Sequence, residues 1–467
     1  MRKFLLLFLA LTLMVFPQHA AAQAAGPVYI VQPGDTLSSI AARFNVTVEE
    51  LIAANGTTDP NLLAAGQQLI IPGLEGVTGI LNTKVINFGD SFRAISRQTQ
   101  VPVALLQKLN RLVSPTELYI GASLIVPQDE GETGLTAHFT PQPGETLLEM
   151  AVRQNSDVWT LASLNALTGG WSALPGDVLY APGGAGGQSA SGLPPAFVSA
   201  EVTTLPVKQG GTAVIVVEPA RQDIALGGIL VDMPLHFFPL DDGRQVALQG
   251  VHALLEPGVY PLRLDATFPD ASVQSFEQNI LIVSGNYLTD PDLYVPAETI
   301  DPVNTAPEQN QVVSIVSGAT PQRFWQGPFT TPASLYAEST YFTSRFGSRR
   351  LYIGQGTDLK IQSFHTGVDF GGGTGLPITA PAPGVVVFTG PLTVRGNATI
   401  IDHGWGVYSG FWHQSEFKVQ VGDVVEQGQI IGLVGGTGRV TGAHLHWELW
   451  VNGVQVEPLD WLNRQYP

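Results

Sequence analysis

Two histidines stand one residue apart, His444 and His446, in "GAHLHWELW" (residues 442–450), a run that otherwise reads as a buried strand. Side chains at i and i+2 of a strand leave the same face, so the two imidazoles lie side by side. For a chain with nine histidines in all, that is a costly arrangement unless something binds them. Further ligands are offered by "FHTGVDFGGG", where His365 and Asp369 are spaced i, i+4 and share one face of a strand, and nearly so of a helix. The 467 residues include no cysteine. Imidazoles with a carboxylate suit a catalytic zinc that keeps one position for water, and the same donor types could hold non-haem iron.

The elements around these residues have the character of short strands and turns. "GLPITAPAPGVVVFTGPLTVRGNATIIDHGWGVYSGFWHQSEFKVQVGDVVEQGQIIGLVGGTGRVT" separates the two histidine motifs, and the whole chain holds 52 glycines and 34 prolines. Such composition disfavours long helical bundles. From about residue 340 to 463 the sequence resembles the lysostaphin/LytM-type zinc metalloendopeptidases, which are peptidoglycan hydrolases. The resemblance is carried by "SRFGSRR", "HTGVDFGGGTGLPITAPAPGVV", "GNATIIDHGWGVYSGFWH", "VGDVVEQGQIIGLVGGTGRVTGAHLHWE" and "EPLDWL".

That resemblance implies an all-β domain with a narrow groove floored by an antiparallel sheet. It places one Zn2+ on His365, Asp369 and His446, and assigns His413 and His444 as the catalytic, non-ligand histidines. Where these enzymes keep a Tyr-x-x-His pattern before the first catalytic histidine, this chain has "FWH". His403, in "IDHGWG", reads as a turn or supporting residue, and His236 and His252 stand outside any ligand spacing.

Upstream, Gly34, Gly89 and Gly144 recur at an interval of 55 residues, as do Asn55, Asn110 and Asn165, and Pro72, Pro127 and Pro182. A fixed period marks repeated supersecondary units. Each opens on a strand and turn ("VQPGDTLSSIAARF", "INFGDSFRAISRQT", "PQPGETLLEMAVRQ") and closes on an apolar strand with Pro ("GQQLIIPG", "GASLIVPQ", "GDVLYAPG"). Asp35, Asp90 and Glu145 stand at helix starts, where the dipole favours a carboxylate, and Thr36, Ser91 and Thr146 can cap. These stretches resemble LysM domains. The resemblance implies binding of N-acetylglucosamine-containing glycan such as peptidoglycan, with Gly34, Asp35, Thr36, Asn61, Leu62 and Leu63 at the first groove. Three linked copies would act as a multivalent tether.

The amino terminus, "MRKFLLLFLALTLMVFPQHAAAQAAG", has Arg2 and Lys3, an apolar run and small residues, which predicts a secretory signal peptide cleaved after Ala22 or Ala24. No later segment is apolar for long enough to span a bilayer. With 22 Lys plus Arg against 39 Asp plus Glu, the net charge of −17 excludes nucleic acid as a partner. A secreted location, in periplasm, cell envelope or extracellular wall, follows as the expectation.

The expected fold class is multidomain: three small βααβ LysM units, an immunoglobulin-like β-sandwich and a C-terminal all-β LytM-type metallopeptidase domain. The expected boundaries are 1–24 for the signal peptide, 28–73, 83–128 and 138–183 for the repeats, 184–195 for a Gly/Ser linker and 196–285 for the sandwich. An acidic, Pro-rich linker or strap at 286–335 then leads to the peptidase domain at 336–467. The expected activity is hydrolysis of peptide bonds in peptidoglycan stem peptides or cross-links. The rival expectation is a non-catalytic wall-binding scaffold or activator of another hydrolase.

Overall fold

The computed structural model describes residues 26–56, 63–74, 77, 79–114, 117–128, 135–142, 144–174, 176–182, 192–336 and 342–467. The expected signal peptide, Asn61, Leu62 and most of the Gly/Ser linker lie outside the described residues. The chain divides into two compact units, residues 1–84, 99–111 and 125–134 in one, and 85–98, 112–124 and 135–467 in the other.

In the first unit, strands Val28–Ile30 and Gln68–Ile70 pair antiparallel, flanking helices Leu37–Phe44 and Val48–Asn55. Both helices begin with capping boxes, Thr36 with Ser39 and Thr47 with Glu50, each satisfying two otherwise orphaned N–H groups. The buried Tyr29, Ile40, Leu51, Leu69 and Ile71 form the core. Its size is modest, and polar clamps supplement it. The Asn55 amide donates to Leu51 O and Ile70 O (both 2.8 Å) and accepts from Ile70 N (2.6 Å), tying the second helix to the last strand. Asn110 repeats these bonds with Leu106 and Ile125.

The second unit contains the third repeat, with helices Leu147–Arg153 and Val158–Leu164 and the paired strands His138–Phe139 and Leu179–Tyr180. Asn165 makes the same clamp there, to Leu161 and Tyr180. Residues 196–283 then fold into two sheets around a shared apolar core that includes Ile215, Val217, Ala247, Leu262, Leu264 and Ile280. Strand Thr212–Pro219 lies between Phe197–Val202 and Gln245–Gly250 in one sheet, and Gly258–Thr267 between Ala225–Leu230 and Val273–Val283 in the other, all antiparallel.

Residues 286–335 are a strap rather than a free linker. Leu293–Pro296 pairs in parallel with Arg349–Gln355, and Pro302–Val316 is a 15-residue helix capped by Asp301. Pro302 opens that helix where a missing N–H is harmless, but Pro307 inside it and the scattered apolar residues conceal it from pattern reading. Its buried Val312 and Val316 lie against Ile400, Tyr408, Trp412 and Trp450.

The carboxy-terminal region is built on an antiparallel sheet in the order Val368–Gly371, His444–Val451, Val407–Trp412, Gly396–Gly404, Gly384–Leu392 and Val424–Val425. In the central strand, Leu445, Trp447 and Leu449 are fully buried on one face. Burial of that kind contributes roughly 1.5–3 kcal/mol per side chain. It leaves His444, His446 and Glu448 on the opposite face.

Candidate metal centre

Register brings the candidate ligands together. Asp369 stands directly opposite His446 across one strand pair, and Trp412 opposite His446 across the other, so that His413 leaves the sheet beside them. His365 enters from the turn before Val368, with its backbone N–H on Ser348 O at 2.8 Å. Gly367 in that turn has no room for a side chain, because a Cβ would meet Trp447 O at 2.2 Å and His446 Nε2 at 2.7 Å.

Asp369 Oδ1 is 2.7 Å from His446 Nδ1 and 3.1 Å from His365 Nε2, and those two nitrogens are 3.0 Å apart. Among the described residues these three form a group of potential metal ligands. Tetrahedral zinc with bonds of 2.0–2.1 Å sets ligand atoms about 3.3 Å apart. The donors therefore need to open by only a few tenths of an ångström, and their types fit the ion.

The surrounding hydrogen bonds choose the tautomers. His365 Nδ1 faces Arg345 O at 2.9 Å and Ser344 Oγ at 3.2 Å, so it carries the proton and leaves Nε2 bare toward the cluster. Ser344 is in turn held by Arg350 Nη2 at 2.7 Å. His446 has its Nε2 3.4 Å from Glu448 Oε1, a close charge partner without a well-aligned hydrogen bond. Glu448 is fixed by Thr366 Oγ1 (2.6 Å) and Gln455 Nε2 (3.2 Å).

Electrostatics match a site built for a cation. Burial opposes the charge on Asp369, yet His365 and His446 hold its carboxyl well below the usual range. Burial also opposes protonation of His446, but the Asp369 and Glu448 carboxylates outweigh it and push its pKa up to about 9. Two carboxylates thus keep a proton where a metal would displace it.

Two further imidazoles flank the ligands. His413 follows the last residue of its strand in the left-handed region, φ +65°, an uncommon and strained state for a non-glycine residue. Its N–H donates to Arg395 O (2.9 Å) and its Nδ1 faces Thr437 O (2.8 Å), leaving Nε2 free. Burial, with His446 and His444 nearby, lowers its pKa to about 3, so the ring is neutral at pH 7. His444 Nδ1 faces Gly442 O at 2.9 Å, and its Nε2 is 3.6 Å from Asp369 Oδ1. The His413 and His444 ring centres are 4.9 Å apart.

The five histidine and aspartate residues expected from sequence therefore converge. His403 is a supporting residue, fully buried between Pro383 O (2.8 Å) and Ser409 Oγ (2.9 Å). Glu448 was missed, although its i+2 spacing from His446 puts it on the same strand face. Ser344, Arg350 and the Thr437 carbonyl carry no comparable signal.

Of the described residues expected at a glycan groove, Gly34, Asp35 and Thr36 lie in and beside the turn after the first strand. Gly34 adopts φ +89° in the turn, and Thr36 caps its helix. Asp35 accepts from Tyr29 Oη (2.7 Å) and Gln32 N (2.8 Å) and pairs with Arg43 (3.3 Å). Leu63 packs, half-buried, against the module core.

Comparison with known proteins finds sequence matches over both regions. Residues 363–458 match Peptidase family M23, and residues 29–72 and 85–127 match the LysM domain. The chain thus carries an M23 peptidase domain of the LytM type and LysM domains. It is 41% identical over 120 residues to the DD-carboxypeptidase/endopeptidase Mpg of Neisseria meningitidis, covering 26% of each chain. It is 40% identical over 117 residues to the peptidoglycan DD-endopeptidase ShyA of Vibrio cholerae, covering 25% of this chain and 26% of that one. The match spans about a quarter of the length of these relatives. Among solved structures, a peptidase M23 from Pseudomonas aeruginosa aligns at 24% identity over 56% of this chain and 97% of its own, with a TM-score of 0.41. Lysostaphin from Staphylococcus simulans aligns at 35% identity over 21% and 44%, with a TM-score of 0.21.

Proposed function

We propose that the chain is a zinc-dependent endopeptidase of the cell envelope that hydrolyses peptide bonds in peptidoglycan stem peptides or cross-links. The observation that carries this reading is the convergence of His365 Nε2, Asp369 Oδ1 and His446 Nδ1 within 2.7–3.1 Å of one another, beside two histidines that are not ligands. The names of the DD-endopeptidase relatives support a cross-link between D-residues as the first bond to test.

His365, Asp369 and His446 would hold the ion. Zinc bound there supplies a Lewis acid for the scissile carbonyl and acidifies water to a pKa of about 7. The chain supplies the rest. His413, anchored through Nδ1–H on Thr437 O, presents Nε2 as a proton acceptor. His444, anchored through Nδ1 on Gly442 O, presents its own Nε2. One imidazole takes the proton of the attacking water and returns it to the leaving amine, and the other donates to the developing oxyanion as an N–H.

The LysM modules hold the enzyme on its substrate, and the Asn165 clamp supports counting the 138–183 repeat as a third such module. The two-sheet domain at 196–285 is read as immunoglobulin-like, and the first 24 residues as the signal that exports the chain. No helix among the described residues is long and apolar enough to cross a membrane. All three ligand positions and both flanking histidines are filled, which argues against a purely scaffolding role.

The test is digestion of purified peptidoglycan with mass spectrometry of the products, beside His446→Ala and chelator-treated samples. Loss of a peptide bond only with intact, zinc-loaded protein supports the reading and names the bond. Binding to wall material without any released product would sink it.

A further inference from the structure

We propose that Glu308, on the strap helix and outside the M23-matched segment, is a positioning residue that sets the orientation of His413. The inference rests on His413 acting in the hydrolysis. Glu308 is 4% exposed. Its carboxylate accepts from the backbone N–H groups of Val394 (2.7 Å) and Arg395 (3.2 Å) and from Arg395 Nη1 (2.9 Å).

These partners form the tip of the hairpin that joins Gly384–Leu392 to Gly396–Gly404. Arg395 then passes the constraint on. Its carbonyl accepts the His413 N–H at 2.9 Å, and its guanidinium lies 5.3 Å from the ring centre of Trp412, the residue before. The Val394 carbonyl accepts the N–H of Arg439, which follows the Thr437 and Gly438 turn that holds His413 Nδ1. The backbone anchor of His413 and the turn that holds its ring Nδ1 therefore both trace back to a hairpin tip whose N–H groups close on one buried carboxylate.

The residue type is what makes this more than packing. A buried carboxylate is expensive unless paired and hydrogen-bonded, whereas Val312 and Val316 already attach the helix through apolar contact. His413 sits at φ +65°, a conformation that persists only where its surroundings over-determine it. Glu308 supplies that determination from a part of the chain with no residue in the site.

The experiment measures zinc-loaded, full-length wild type, Glu308→Ala and Glu308→Gln on a soluble cross-linked muropeptide at 15 °C, with zinc content and Tm for each. Val316→Ala serves as a control that loosens the same helix away from the hairpin tip at Val394 and Arg395. In Glu308→Ala, kcat is expected to fall about 10- to 100-fold with KM within about twofold and zinc content unchanged, the scale of a misplaced catalytic group. Glu308→Gln, which keeps an acceptor oxygen at the same reach, is expected to recover part of the loss, and guards against misfolding of the alanine variant. Val316→Ala is expected to lower Tm and keep kcat. Wild-type kcat in both folded Glu308 variants, or losses that only follow zinc content or match those of Val316→Ala, would overturn the inference alone. A wild type that cuts nothing would overturn the proposed function, and the inference with it.

Discussion

Asp35 in the first LysM module and Asp369 in the peptidase domain are both carboxylates held by neighbouring groups, and their partners differ in kind. Asp35 closes on Tyr29, Gln32 and Arg43, all within 8 residues of it in sequence. A guanidinium supplies the opposing charge. Asp369 closes on His365 and on His446, the latter 77 residues away. Those partners are imidazoles whose ordinary state at neutral pH is uncharged, and the group is buried. A carboxylate satisfied by its own turn serves the fold. One pressed between two imidazoles, one of them 77 residues away, is a candidate site for a cation.

The largest effect expected from this contrast is at the ligands. His446→Ala or Asp369→Asn should abolish zinc retention after dialysis and lower the rate of muropeptide cleavage by at least about 10³-fold, since in the proposed reaction the ion would be the electrophile. Zinc retained at wild-type stoichiometry in both variants would place the metal elsewhere. Glu448→Gln, which removes the charge beside His446 Nε2, should weaken zinc affinity by about 10- to 100-fold in a competition titration with a chromophoric chelator.

The same contrast extends to pH. The His446 pKa is raised in the fold to about 9 from an ordinary 6.5. The native state therefore holds a proton that the unfolded state gives up between those values. Its stabilisation is complete below pH about 6.5 and lost as the pH rises through about 9. In chelator, the Tm advantage of wild type over His446→Gln should shrink across that window. With zinc present it should not, because the ion replaces the proton. An advantage that is constant in chelator would mean that the imidazole is not held charged.

Smaller effects are expected in the module. Asn55→Ala removes three hydrogen bonds, two to backbone groups of the last strand, and should destabilise the isolated first repeat by about 2–3 kcal/mol in urea. Asp35→Asn loosens a partly exposed ion pair and should cost at most about 1 kcal/mol. Retention on insoluble peptidoglycan should change little in the full chain, since linked modules share the load. Loss of retention with Asp35→Asn alone would support a place for that carboxylate in the glycan groove.

Much of the site was legible before any coordinates. Histidine at alternate positions, a second histidine four residues before an aspartate, and long flanking motifs pointed to the three candidate ligands and the two further imidazoles that the fold brings together. The 55-residue period named the repeats, and the same asparagine clamp recurs in all three. The glycan residues were less legible, because the turn and cap chemistry that shapes Gly34, Asp35 and Thr36 uses the same residue types that a binding groove would.

Covalent spacing and side-chain period are local properties, so the sequence by itself determined which residues could meet on one strand face and which turns their glycines permit. It could not determine that Asp369 falls opposite His446, because register is settled by burial of Leu445, Trp447 and Leu449 across the whole sheet. Nor could it place a helix at 302–316, where the stabilising contacts come from strands some 80 residues or more further on. Glu308, Arg395 and the positive φ of His413 belong to that second class. Their interactions exist only after distant segments have packed, and packing is the property that a one-dimensional pattern does not carry.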